Sequence, residues 1–138
     1  MKRHPALAQL SRDHHHALVV AQQLKRAEEG TAEQARAFFL DYWEHDGRTH
    51  FREEEEILLP SLARFTDPDQ PLVAHVLIDH VRIRKLAADL AAGASVPMLS
   101  ALGVALEAHV RREERELFPL LERVMPDEAL RELAAVLG

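Results

Sequence analysis

A motif written twice constrains this chain more than any other feature. Residues 50–60 read HFREEEEILLP, and residues 109–119, 59 positions later, read HVRREERELFP. His50/His109, Arg52/Arg111, Glu54/Glu113, Glu55/Glu114, Leu58/Leu117 and Pro60/Pro119 coincide. In an α-helix, positions i and i+4 stack on one face, so the imidazole and carboxylate of each copy can converge on one cation. A shorter echo pairs Asp13-His14 with Asp79-His80. Four helices would then each carry one marked histidine, and two would add a glutamate. That is the constellation of a dinuclear metal site inside a four-helix bundle.

The apolar spacing supplies the helices. It predicts them over roughly residues 5–28, 32–64, 70–92 and 96–124, with a short fifth from Asp127 to Leu137. In the first, Leu7, Leu10, His14, Ala17, Leu18, Ala21 and Leu24 recur at spacings of three and four, with Pro5 in the first turn and Glu28-Glu29-Gly30 closing it. The second opens on Thr31-Ala-Glu-Gln34, a capping box. Its stripe runs through Phe39, Trp43, Asp46 or Gly47, His50, Glu54, Ile57 and Ser61. Gly47 costs about 1 kcal/mol against alanine inside a helix, which close approach of another helix would explain. Pro60 should kink or end this helix, because it removes one ladder hydrogen bond and crowds the preceding turn. The third stripe is Val76, His80, Ile83, Ala87 and Leu90, after a loop that ends at Pro71. The fourth is Leu102, Leu106, His109, Glu113, Leu117 and Leu120, capped by Ser95 and entered through Pro97. Strand-like alternation is absent. The expectation is a single all-α domain over 1–138, an antiparallel four-helix bundle with a short C-terminal helix.

Composition narrows the chemistry. A formal charge of −6 and the lack of a basic block argue against nucleic acid and against an anionic membrane surface. No apolar run approaches the roughly 18–20 residues of a membrane span. Met1 to Arg26 carries charges and histidines where a signal peptide needs an apolar core, so the expected location is the cytoplasm. With no cysteine, thiolate zinc sites, iron–sulfur clusters and disulfides are out.

The stripes choose the site. His14, His50, His80 and His109 each lie in one, and Glu54 and Glu113 stand where apolar residues belong. Buried carboxylates are costly unless paired or bound to metal, so these six residues are expected to line one buried cavity, with the two glutamates bridging two metals. Glu53, Glu55 and Glu56 read mostly as a solvated acidic face, although Glu55 and Glu114 recur and keep a role behind the ligands open. His4, His16 and His45 read as surface residues, and His15 and His75 remain open as additional ligands. Phe38, Phe39, Tyr42 and Trp43 read as core and rim. Imidazole nitrogen mixed with carboxylate oxygen suits iron, manganese or zinc.

Asp13-His14, His50-Phe51-x-x-Glu54-Glu55 with Leu59-Pro60, Asp79-His80, and His109-x-x-x-Glu113-Glu114 with Phe118-Pro119 occur in that order from Leu10 to about Glu122. In this the chain resembles the hemerythrin-like, HHE cation-binding proteins. The resemblance implies an up-down-up-down bundle around an oxygen-bridged, non-haem di-iron centre. His14, His50, His80 and His109 would be terminal ligands, and Glu54 and Glu113 bridges. Respiratory members carry a further histidine four positions before the one on the third helix. Here that position is Val76, which argues against reversible oxygen carriage. Two six-coordinate irons offer about 12 positions; four histidines, two bridging glutamates and a bridging oxygen fill about 10, leaving about 2 open to small molecules.

The leading expectation is therefore a cytoplasmic di-iron protein that binds oxygen or a related diatomic, as sensor or store. An oxidoreductase acting on peroxide, oxygen or nitric oxide is the first alternative, and an iron-handling or iron-centre repair protein the second. A redox or signalling partner would be a separate protein.

Overall fold

A computed structural model describes residues 3–137. It contains five helices and, among the described residues, no strand. Helix α1 is Ala8–Lys25, entered through a 3-10 turn at Pro5–Leu7. Helix α2 covers 32–62, α3 is Pro71–Ala92, α4 covers 96–124 and α5 is Asp127–Leu137. No helix among the described residues is long and apolar enough to cross a membrane.

Local chemistry sets the ends. Pro5, Pro71 and Pro97 all occupy first turns, where their missing N–H is harmless. The Ser95 hydroxyl accepts from the Met98 N–H at 3.3 Å. The capping box lies three residues earlier than expected. The Glu28 N–H donates to Thr31 Oγ1 at 3.0 Å, within a 3-10 turn at Glu29–Thr31. That engages the Thr31 hydroxyl, and α2 starts without a side-chain cap.

The four long helices alternate in direction, as two apolar clusters reveal. One gathers Ala17–Leu24 of α1, Phe39–Phe51 of α2, Ile83–Leu90 of α3 and Leu99–Val110 of α4. The other gathers Leu7 and Leu10, Leu58–Leu62, Val73 and Val76, and Leu117–Leu121, closed by Leu130 and Leu133 of α5. Rising residue numbers in α1 and α3 thus match falling ones in α2 and α4. Gly103 permits close approach of α1 and α4: a Cβ there would lie 2.8 Å from the Ala21 carbonyl oxygen of α1. Between the clusters lies a polar layer holding His14, Glu54, Asp79, His80, His109 and Glu113, all buried.

Helices α2 and α4 pass that layer through π turns, at Glu54–Leu58 and Glu113–Leu117. The Leu59 N–H bonds to the Glu54 carbonyl and the Phe118 N–H to the Glu113 carbonyl, five residues back rather than four. Pro60 therefore does not end α2. The ladder is already widened ahead of it, and α-helix resumes over Leu59–Leu62. The extra residue also turns the helix face: Leu58 and Leu62 are buried, where an uninterrupted stripe required Ile57 and Ser61. A third π turn spans Trp43–Gly47. A Cβ on Gly47 would lie 2.8 Å from ring atoms of both Tyr42 and Trp43, so this glycine makes room for aromatics of its own helix, not for a neighbouring one.

Candidate metal centre

Each of the four bundle helices delivers one histidine to the polar layer, and α2 and α4 add the glutamates that open their π turns. His14, Glu54, His80, His109 and Glu113 are buried, and the His50 side chain is 10% exposed. The Nε2 atoms face inward to the carboxylates. His14 Nε2 lies 2.8 Å from Glu113 Oε1, His80 Nε2 2.8 Å from Glu54 Oε1, and His50 Nε2 2.9 Å from Glu54 Oε2. His109 Nε2 lies 3.4 Å from Glu113 Oε2 and 3.8 Å from Glu54 Oε1.

The Nδ1 atoms face outward, each to a second carboxylate. His14 meets Glu114 at 2.6 Å, His80 meets Glu55 at 2.6 Å, His109 meets Asp79 at 3.1 Å, and His50 meets Asp13 at a longer 3.4 Å. The pattern has approximate twofold symmetry, relating α1 and α2 to α3 and α4. An outward carboxylate fixes ring orientation and makes the inward nitrogen a better donor to a cation. Glu55 and Glu114 take the role behind the ligands that their recurrence in the repeat leaves open, and Glu55 is not one of the solvated acids. It is instead half-buried, held by His80 and by Arg84 at 2.9 Å. Asp13 and Asp79 take the same role on His50 and His109, and the repeated Asp-His pair is the sequence signal for it.

Donor atoms of His14, His50, Glu54 and Glu113 all lie within 4.8 Å of one another, and so do those of Glu54, His80, His109 and Glu113. Each group could hold a metal ion, and both glutamates belong to both groups. His109 Nε2 and Glu113 Oε2 are buried without hydrogen-bond partners, a cost that a bound cation would remove. Nitrogen and oxygen donors without sulfur fit iron, manganese or zinc.

The charge balance of the metal-free cluster points the same way. Burial opposes charge on His50 and His109, yet Glu54, Glu113 and the outer aspartates raise both rings to about 10. Burial likewise opposes charge on His14, and hydrogen bonds to Glu113 and Glu114 raise it well above the usual imidazole range. The two glutamates split: burial and the charge of Glu54 push Glu113 up, while the surrounding histidines hold Glu54 low against its own burial. Protons here partly occupy a cation's place.

A cavity of about 180 Å³ reaches this layer between α1 and α2. His14, His50, Phe51, Leu106 and His109 line it, and Asp13, His16, Tyr42, His45 and Asp46 are nearer the surface. His15 and His75 join neither donor group and are exposed; His75 Nδ1 instead accepts from Arg112 at 3.2 Å. His16 and His45 are exposed as expected, but at the cavity. His4 is half-buried and bonds Asp127 at 2.6 Å. Phe39, Tyr42 and Trp43 are core, whereas Phe38 is 43% exposed.

Comparison with known proteins gives one assignment. A family model described as the hemerythrin HHE cation-binding domain matches residues 6–121. No curated protein matches the chain.

Proposed function

The chain belongs to the hemerythrin HHE cation-binding domain family, and from that premise we propose that it is a non-haem di-iron protein that binds oxygen or a related small ligand, as a sensor or store. One observation carries this reading: Glu54 and Glu113 are common to both donor groups. Two carboxylates shared between two pairs of histidines are what bridged metals require. His14 and His50 would complete one position, and His80 and His109 the other.

Iron at these positions would supply reversible binding of, or electron transfer to, a diatomic or peroxide ligand. The chain's own residues do the rest. The outer carboxylates hold the four rings in place, and the two apolar clusters keep bulk water from the layer. The cavity admits small molecules from the side of His14 and His50. Manganese or zinc could occupy the same donors. We place the protein in the cytoplasm, with any redox or signalling partner a separate chain.

A specific residue favours the oxidoreductase reading as the second. Val76 is fully buried among apolar side chains, so no further nitrogen comes from that turn of α3. More open coordination favours oxidation chemistry on peroxide, oxygen or nitric oxide over storage. Metal analysis of protein purified without added metal tests the first premise, with two irons per chain expected. Oxygen added to the reduced protein then separates the readings. A reversible charge-transfer band supports binding, continued turnover supports the oxidoreductase, and iron passing to an apo-acceptor supports iron handling. Zero or one metal per chain would overturn the dinuclear proposal.

A further inference from the structure

We propose that Arg3 is a positioning residue for His14, acting through Glu114 and Phe118, so that one half of the centre depends on the segment ahead of the first helix while the other half does not. The proposal rests on the reading of His14 and His80 as ligands of two different metal positions.

The two rings sit in matching clamps. His80 stacks on Phe51 with centroids 4.0 Å apart and planes at 7°. The Arg84 guanidinium lies 5.7 Å from the centroid on Phe51 and donates to Glu55, the carboxylate that holds His80 Nδ1. His14 stacks on Phe118 at 5.1 Å and 11°. Arg3 lies 5.4 Å over Phe118 and reaches Glu114, the carboxylate that holds His14 Nδ1. Each clamp thus has an arginine over a phenylalanine, a phenylalanine on a histidine, and a glutamate joining arginine to histidine. Charge-assisted hydrogen bonds and cation–π contacts both fix geometry more firmly than neutral contacts do.

The clamps come from unrelated places in the chain. Phe51 follows His50 in its motif, whereas Phe118 precedes the proline of the other copy. The internal repeat therefore cannot account for their likeness. They also differ in anchorage. Arg84 is inside α3, four residues after His80, and its backbone is fixed by that helix. Arg3 precedes the first turn at Pro5–Leu7, and its side chain meets Glu122 at 2.8 Å, the Glu114 carbonyl at 2.8 Å and the Glu114 carboxylate at 3.4 Å. Its neighbour His4 adds a backbone N–H to Glu122 at 2.6 Å and its ring to Asp127 at 2.6 Å. Ser11 of α1 also donates to Glu114, at 2.9 Å. The arginine of the His14 clamp thus lies outside any helix, and that of the His80 clamp lies inside α3.

The test reads the imidazoles directly. In proton–nitrogen spectra of metal-free protein with labelled histidines, Arg3→Ala should move the Nδ1–H resonance of His14 and leave that of His80 in place. Arg84→Ala should do the reverse. Glu122→Gln, which weakens Arg3 from its far side, should shift His14 in the same direction by less. With zinc-loaded protein and a chelator, Arg3→Ala should speed loss of one of two equivalents by about tenfold, the lower end for losing an outer partner. An unmoved His14 resonance in Arg3→Ala, or equal movement of both histidines, overturns the proposal. If His14 responds as described but only one zinc binds, the positioning role stands and the dinuclear reading fails.

Discussion

Glu54 and Glu113 stand in the same place in two π turns, each the first residue of its turn and each with its carbonyl bonded by the N–H five residues on. Both side chains are fully buried and face histidines from several helices. The widened turn lets a helix present a carboxylate to the centre of the bundle and still bury the leucine that closes the turn, Leu58 after Glu54 and Leu117 after Glu113.

On the dinuclear proposal, removing either glutamate should damage both metal positions, because each belongs to both donor groups. Glu113→Ala is expected to lower bound metal from two equivalents towards none. Glu114→Ala, which removes the Nδ1 partner of His14 but no member of either donor group, should retain metal with affinity reduced roughly 10–100-fold. Metal per chain measured after dialysis at fixed free metal decides it. Equal metal in the two variants would show that the wrong carboxylate has been placed in the centre.

The three adjacent histidines of α1 give a second comparison. His14 is 3% exposed with both ring nitrogens engaged, whereas His15 points to solvent. His14→Ala should lose about one equivalent of metal, a larger effect than the roughly 10–100-fold weakening typical of an outer partner. His15→Ala should bind as the parent does. Metal retained in full by His14→Ala but lost by His15→Ala would mean that α1 is turned by one residue from its described register.

The six central residues stand out because imidazoles and carboxylates recur at helical spacing in apolar stripes, and because the chain repeats itself. Beyond them legibility falls with sequence distance. Asp13 and Asp79 were visible as a repeat, but pairing each with its histidine needs the packing of α1 on α2 and of α3 on α4. Arg3 acts on Glu114, 111 positions away, and no local pattern carries that. The π turns were misread for another reason. Pro60 signals a disturbed ladder, for which a kink or an end is the expected response. A turn widened just ahead of the proline satisfies the same constraint and keeps the helix, which moved burial from Ile57 and Ser61 to Leu58 and Leu62.

Gly47 tests the third π turn, beside the cavity. Alanine there gains helix propensity of about 1 kcal/mol, but its methyl would press ring atoms of Tyr42 and Trp43 at 2.8 Å. Both rings are buried, and overpacking of this kind costs about 1–3 kcal/mol. The net cost is up to about 2 kcal/mol, so Gly47→Ala should lower Tm, by roughly 4 °C for each kcal/mol lost at this chain length. Gly30→Ala, with nothing within 4 Å of the added methyl, is the control. A Gly47→Ala protein as stable as the parent would show that the aromatics can move aside.

The last prediction concerns pH and the metal-free protein. His50 and His109 are raised to about 10 in the folded chain, against about 6.5 when unfolded. A group with a raised folded pKa stabilises fully below its unfolded value and loses that contribution as pH climbs through the folded one. Stability of the metal-free chain should thus fall between pH 6.5 and 10. The surrounding carboxylates do not cancel this. Asp13, Asp79, Glu55 and Glu114 are all lowered, so their contributions are complete before the window opens. Glu113 is raised, and its contribution also falls with rising pH. Tyr42 is pushed well above the usual phenol range by burial and nearby carboxylates, so it titrates above the window. Metal-loaded protein should not share the decline, because histidine nitrogens that hold a cation carry no proton there. Denaturant midpoints across this range, with and without metal, should diverge as pH rises. A flat profile for the metal-free chain would mean that these histidines are neutral in the fold and that protons do not stand in for the cation.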